Sequence, residues 1–454
     1  MKKYITYLSL GTLFLISSCE EMLEVDLPQN QISSEQVFSD KQTAYAALAG
    51  LYSGLYDNSP LSGDNAGKLL GVYTDDLNYY SMTASLGTVE LFNNTQRANN
   101  TVIASYWSGA YQQVYVANSI LDGLARSTAL SSADKDQIRG EVLLIRSILF
   151  FYLQQSFGDI PMPSVIDYRI NQNLSKKSSA DVLELLRSDL LESIQIIRND
   201  YRHTDRIFAN RKVAELMLAK VYMAQNKWSD AEALLKTIVQ SNLYVFQNDI
   251  TKVFTKSSTH VLWQLKPLIS ADGTKEAILY YFANAAPTSF ALSSDLINSF
   301  SSVDIRKQNW IAEVKVGANT WYRTDKYKLR SANTTEFSII FRLEEVYLLL
   351  AEALAQQNKI VESLPYVNAT RTRAKISVLT QPIDRSILLN EILLEWRREF
   401  FTETGHRFFD LKRFGRLEDL KTTKPNWATY QALWPLPERE ILMNPNLNPQ
   451  NNGY

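Results

Sequence analysis

A single cysteine in 454 residues, Cys19, rules out an intramolecular disulfide and any zinc site built on cysteine thiolates. Histidine is scarce as well. His203, His260 and His406 stand far apart, with no pair at helical spacing to grip a metal. Net charge is nearly absent: 47 Lys and Arg against 48 Asp and Glu leave a formal -1, without the basic excess that marks a nucleic-acid binder. Past the N-terminus no stretch approaches the ~18 consecutive apolar residues of a membrane-spanning helix. G-x-S-x-G, H-E-x-x-H and phosphate-loop patterns are missing, which argues against the enzyme classes they mark. Adjacent carboxylates such as Asp75-Asp76 and Glu344-Glu345 make poor glycosidase pairs, because sequence neighbours point different ways on a strand or helix. What is present is ordinary for a folded chain: 45% hydrophobic and 21% charged residues, enough apolar surface to exclude wholesale disorder.

The N-terminus reads Lys2-Lys3, an apolar run from Tyr4 to Ile16, then Ser17-Ser18-Cys19. That is a secretory signal layout, too short for a comfortable span. Ile16-Ser17-Ser18-Cys19 resembles a bacterial lipobox with the lone cysteine at its lipidation position. The expected division is a signal peptide over 1–18, a lipidated tether over 19–34, an N-terminal half over 35–242 and a C-terminal half over 243–454, the two halves forming one compact unit. Several acyl chains on Cys19 suffice for stable anchoring where one would not.

Helical periodicity runs from Ser39 to Leu55, Trp107 to Leu124, Asp134 to Phe157 and Ser179 to Asn199. Residues 71–100 are polar, aromatic and poorly periodic. The clearest unit is 211–241, two helices about a turn at Asn226-Lys227, with Leu218, Ala219, Tyr222, Ala231, Leu235 and Ile238 at the spacing of a tetratricopeptide repeat. A second copy spans 342–374, with Ala351, Leu354, Ser363, Val367 and Thr370 in the corresponding places. Stacked hairpins of this kind share a core. Between the copies, 243–335 turns irregular, with strand-like runs such as Val261–Leu265. After a helix near 386–401, Pro425, Pro435, Pro437, Pro445 and Pro449 impose irregular chain.

Three segments carry a family resemblance: Glu395-Trp-Arg-Arg-Glu399, Gly405-His-Arg-Phe-Phe-Asp-Leu-Lys-Arg413 and Leu433-Trp-Pro-Leu-Pro-Glu-Arg-Glu440. With the closing Asn446–Tyr454 run, Asn118 and Asp304-Ile-Arg306, they resemble the SusD/RagB family. The resemblance implies a mostly α-helical SusD-like fold, tetratricopeptide-like hairpins in a superhelix with few short strands and an irregular ligand-binding region. It implies a surface-exposed outer-membrane lipoprotein that captures a nutrient for a SusC-like TonB-dependent transporter. It implies no catalysis, no cofactor, no metal and no nucleic acid. Arg398, Glu399, Gly405, Arg407, Asp410 and Arg413 would be fold determinants in a partly buried ion-pair network.

The expected ligand is an oligosaccharide, with a peptide as the alternative. Aromatic rings cover the apolar face of a sugar while polar side chains meet its hydroxyls. Two regions offer such groups. One is 74–80, giving Asp75, Asn78, Tyr79 and Tyr80. The other is 280–327, giving Trp310 and Trp321 beside Tyr280, Tyr281, Phe282 and Tyr322. Trp321 follows the turn-like 317–320 and is expected near a loop tip. Trp107, Trp228, Trp396 and Trp434 are expected in the core.

Overall fold

The computed structural model describes residues 34–81 and 85–454; the signal segment, Cys19 and nearly all of the expected tether lie outside them. The principal helices are α1 (Lys41–Asp57), α2 (Ala66–Tyr73), α3 (Leu86–Asn93), α4 (Thr101–Arg126), α5 (Ser132–Phe157), α6 (Ser179–Ile196), α7 (Arg211–Ala224), α8 (Trp228–Val239), α9 (Leu343–Gln356), α10 (Ile360–Arg373), α11 (Arg385–Phe400) and α12 (His406–Arg413). Their starts follow from local chemistry. The side chains of Asn100, Ser131, Ser178 and Asn210 accept backbone N–H bonds at the entries to α4, α5, α6 and α7. The unperiodic 71–100 holds the C-terminal part of α2 and all of α3. Each is only eight residues long, too short for a stripe to show.

From α4 to α9 each helix packs on the next, and α10 and α11 close the stack against α9. Both tetratricopeptide-like hairpins form where expected. Each turns through an Asn-Lys pair whose asparagine is left-handed, Asn226 at φ 58° and Asn358 at φ 60°, a conformation asparagine tolerates better than most residues. Ala219, Ala231 and Ala351 are fully buried at the helix crossings, and Ser363 Oγ donates to the Ala351 carbonyl at 2.8 Å. Small side chains let the backbones close up there.

The segment between the hairpins supplies most of the strands, all in two-stranded antiparallel ribbons: β1 (Leu77–Tyr79) with β3 (Phe290–Leu292), β2 (Val261–Leu265) with β6 (Ser338–Arg342), and β4 (Ile311–Val316) with β5 (Asn319–Thr324). The C-terminal tail is irregular, as its prolines require, apart from 3-10 turns and the short helix Glu438–Met443. Trp107, Trp396 and Trp434 are buried, whereas Trp228 is half-buried and packs at the margin of the core.

The signature residues tie α12 to the helical stack. Tyr152 of α5 meets Phe409 of α12 edge-on at 5.4 Å between ring centres. Lys412 Nζ donates to the Gln155 carbonyl at 2.6 Å, and Arg413 grips both oxygens of Glu352 at 2.8 Å. Gly405, at φ 83°, opens α12, and a Cβ there would sit 2.4 Å from Leu70. Helix α12 is thus tied to both α5 and α9 of the stack. A cavity of about 280 Å³ is left between α5, α7, α9 and α12.

Behind α11 lies a network of buried charges. Glu399 faces Arg306 at 3.1 Å, Arg342 at 2.6 Å and Arg373, all without solvent exposure. Arg306 also pairs with Asp304 and Glu395, Arg342 with Glu403, and Arg373 with Glu344. Arg398 departs from the expected pattern: its guanidinium donates to the Ser299 carbonyl at 2.7 Å.

Candidate functional site

Asp75 and Asp76 fix the first wall of the site. Arg407 holds Asp75 through Nε at 2.7 Å and Nη2 at 2.8 Å, and Arg397 reaches Asp76 at 2.9 Å and Asp295 at 2.7 Å. Burial alone would raise the Asp75 carboxyl, but Arg407 and Arg397 hold it at about 2. Burial keeps Asp76 above the usual carboxylate range despite Arg397, and the charge of Asp75 adds to that. Asp75 is therefore not presented to ligand, contrary to the sequence expectation. Its oxygens are spent on α11 and α12, and its place is to anchor the strand that follows.

That strand, β1, pairs with β3 in the register Leu77 with Leu292, Asn78 with Ala291 and Tyr79 with Phe290. Alternation along a strand sends neighbours to opposite faces, so the ribbon offers two surfaces. On one, the Tyr79 and Phe290 rings lie 5.1 Å apart and wall a polar cleft of about 420 Å³. Tyr79 is only 7% exposed, so it is wall rather than free platform. Across the cleft, loop 57–65 and α2 contribute Asp57, Asn58, Asp64, Asn65 and Lys68, and α4 contributes Ser105.

Lys275 braces that loop. Its ammonium donates to the Asp57 carbonyl at 2.7 Å and Ser62 Oγ at 2.9 Å, and it pairs with Asp64 at 3.1 Å. Burial opposes ionisation of Asp64, yet the Ser62 hydroxyl and Lys275 hold its carboxyl below the usual range. Burial lowers Lys68. The cleft residues were missed in the sequence because a run such as Asp57-Asn58-Ser59-Pro60 reads as an ordinary loop. Only the polar density of 57–65 hinted at more.

Beneath the loop, Glu276 accepts from Ser338 Oγ at 2.8 Å and fills the space beside Gly63, where a Cβ would lie 2.2 Å from its carboxylate. Burial pushes Glu276 up to about 7. The native state then keeps a proton that the unfolded chain gives up near 4.5, so stability falls by about 3 kcal/mol as pH rises through that window. Glu276→Gln should remove this fall, as read by urea melts at pH ~5 and ~8. A variant with the wild-type pH difference would exclude Glu276 as its source.

The other surface of the ribbon carries Asn78 and Ala291. Ala291 packs with Phe282, Val314 and Trp321, which brings the β4–β5 hairpin alongside. Tyr80 continues the line, tied by its N–H to the Ser289 carbonyl at 2.8 Å, and is 39% exposed. Among the described residues the Asn78 amide, the Tyr80 hydroxyl and the Trp321 indole N–H have no hydrogen-bond partner. Tyr281, 38% exposed, lies at the margin, with the Arg330 guanidinium 3.4 Å and that of Arg323 4.8 Å from its ring centre.

Two of the expected tryptophan placements change. Val316 pairs with Asn319, so Gly317 and Ala318 alone make the turn. Trp321 therefore sits within β5 opposite Val314, half-buried, and not at the loop tip. Trp310 is 2% exposed. Its indole donates to the Ile250 carbonyl at 3.2 Å and its ring packs on Phe254, so it offers no free face and belongs to the core. Tyr280 and Phe282 are buried too, and Tyr322 is half-buried.

Residues 23–223 match the family described as "Starch-binding associating with outer membrane", and residues 301–454 match the "SusD family". The chain belongs to the SusD/RagB family. Among its SusD-like relatives, one from Formosa agariphila is 24% identical over 97% of this chain and 98% of that protein. Another from Bacteroides ovatus is 22% identical over 93% and 85%. The same fold occurs in a SusD superfamily protein from Bacteroides vulgatus, with TM-score 0.79, 19% identity and coverage of 91% of this chain and 99% of that one. Surface glycan-binding protein A from Bacteroides thetaiotaomicron, solved with laminarihexaose, aligns with TM-score 0.75, 17% identity and coverage of 90% and 99%. The SusD fold thus accounts for the helical stack and its few short ribbons. No helix among the described residues is long and apolar enough to cross a membrane.

Proposed function

We propose that this SusD-family chain binds an oligosaccharide nutrient without transforming it and passes it to a SusC-like TonB-dependent transporter in the outer membrane. The observation that carries the reading is the face shared by Asn78, Tyr80 and Trp321. Asn78 and Tyr80 fall on the ribbon surface that carries Ala291, Trp321 packs against the cluster containing that alanine, and the polar atoms of all three are unspent among the described residues. A sugar ring needs an apolar surface for its C–H face and donors or acceptors for its hydroxyls, and this face offers both. The laminarihexaose complex of a protein with the same fold supports the choice of a glycan. So does the description "Starch-binding associating with outer membrane" for the family matched by the N-terminal half.

A binding role suits the electrostatics better than a catalytic one. The paired carboxylates Asp75 and Asp76 are locked to arginines, and neither is free to shuttle a proton to a substrate. Cys19 would carry the lipid that holds the chain at the cell surface. With ligand and transporter both confined there, transfer gains from a raised effective concentration.

Affinity electrophoresis through gels containing starch, laminarin, xylan or no polysaccharide tests the binding claim. Retardation by one polysaccharide, with no release of reducing ends on prolonged incubation, is the expected result. Hydrolysis of the retarding polymer would contradict the non-catalytic role. Retardation by none, with binding of peptide mixtures instead, would move the protein to peptide capture. Copurification of a TonB-dependent barrel with the native lipoprotein, lost on Cys19→Ser in cells, tests the rest.

A further inference from the structure

A second cleft, of about 690 Å³, opens along α4 on the side chains of Trp107, Tyr111, Tyr115 and Asn118. Its volume lies in the ~300–1,000 Å³ range of small-molecule sites. Segment 161–174 forms one wall and the tail around Glu440 and Asn444 the other. The walls are braced. Tyr111 Oη donates to the Pro161 carbonyl at 2.7 Å, Asn118 Nδ2 to the Pro163 carbonyl at 2.8 Å, and Asn444 Nδ2 to the Leu174 carbonyl at 2.8 Å. A cleft held open by such bonds needs little reorganisation to take a ligand.

Three features define the ligand chemistry. Tyr115 and Tyr168 are 54% and 69% exposed on a cleft whose base includes the buried Trp107, so aromatic surface is available on more than one side. Asn171 donates through Nδ2 to the Val165 carbonyl at 2.8 Å, but its Oδ1 is buried with no partner among the described residues. It is an acceptor waiting for a hydroxyl or N–H. Among the described residues no lysine or arginine lines the cleft, and the one lining carboxyl, Glu440, is raised from its ordinary value by burial. Phosphate and uronate ligands would find no counter-charge here. Aromatic faces with amide acceptors and no cation suit a neutral sugar.

We infer that the cleft between α4, segment 161–174 and the C-terminal tail is a second binding site for a neutral oligosaccharide. It is separate from the Asn78, Tyr80 and Trp321 face. Two modest sites on one chain would favour long polymers over short ones through avidity.

The test is isothermal titration with maltohexaose, cellohexaose, laminarihexaose and xylohexaose against four forms of the protein. These are wild type, Tyr80→Ala/Trp321→Ala, Tyr115→Ala/Tyr168→Ala, and the combination. Tyr115 and Tyr168 are exposed, so their removal should leave the fold intact, which circular dichroism checks. The expected result is that wild type takes two equivalents of at least one hexasaccharide. The Tyr80/Trp321 variant should keep one equivalent, weakened about tenfold or more when Tyr115 and Tyr168 are also removed. A single equivalent in wild type, lost on Tyr80→Ala/Trp321→Ala and unchanged by Tyr115→Ala/Tyr168→Ala, overturns the second site and leaves the first. A single equivalent sensitive only to Tyr115 and Tyr168 keeps the second and overturns the first. No binding of any hexasaccharide overturns both.

Discussion

Glu399→Ala is expected to destabilise the chain by about 3–5 kcal/mol or more, the range for removing one partner of a buried ion pair. The residue sits among Arg306, Arg342 and Arg373 with no solvent access. Taking away its carboxylate removes the one counter-charge the three guanidinium groups share, and leaves them in low dielectric with Asp304, Glu395, Glu403 and Glu344 alone to offset their charge. Against a total stability of about 5–15 kcal/mol for a typical domain, that loss should bring a clear fall in the urea midpoint at unchanged slope, or insoluble expression. Glu399→Gln, which keeps hydrogen-bond acceptance but not charge, should fall between the two. A Glu399→Ala protein that melts within about 1 kcal/mol of wild type would show that the arginines find other partners and that the network is not integral to the fold.

Acid should unfold the protein through the same network. Burial works against ionisation of Glu399, but Arg373, Arg342 and Arg306 hold its carboxyl at about 2 instead of 4.5. Glu403 is lowered by Arg342 and Lys326 against the pull of burial, and Glu344 by His260, Arg373 and Arg342. A depressed carboxylate stabilises the native state above its unfolded pKa and loses that contribution as pH falls through the folded one. For Glu399 alone the window from 4.5 to about 2 corresponds to about 3 kcal/mol. The raised carboxyls, Asp76, Glu276, Glu336, Glu352 and Glu440, act the other way but are fewer than the lowered ones. Circular dichroism across pH ~7 to ~2 should show a cooperative loss of helix signal below about pH 4.5. A helix signal that persists unchanged to pH ~2 would contradict this assignment of charges.

The parts of the fold that were readable in the sequence are those decided locally. Ala219, Ala231, Ala351 and Ser363 announce close helix crossings by their size and spacing, and two Asn-Lys turns repeat the same backbone solution. The family signature around Glu399 and Arg413 was recognisable as a string, and its role as a partly buried ion-pair network was what that resemblance implied. The site was harder because its geometry is made by contacts remote in sequence. Asp75 looks like an exposed carboxylate until Arg407, 332 residues away, closes on it. Trp310 and Trp321 are equivalent as letters in one aromatic segment. Only the β4–β5 register and the packing of Phe254 tell that one is core and the other borders an open face. The cleft lined by Asp57, Asn58, Asp64 and Lys68 became visible only when Lys275, from a helix more than two hundred residues later, was seen bracing its loop.

The most direct test is titration of the mature chain, carrying Cys19→Ser to keep it soluble, with the oligosaccharide of whichever polysaccharide retards it in affinity gels. Trp321→Ala and Tyr80→Ala should each weaken binding several-fold, and together by about tenfold or more. Trp310→Phe, a change inside the core, should leave affinity unchanged in whatever fraction folds. Wild-type affinity in the Tyr80→Ala/Trp321→Ala protein, with its fold intact, would contradict the assignment of the β1–β3 and β5 face as the place where this SusD-family chain meets its ligand.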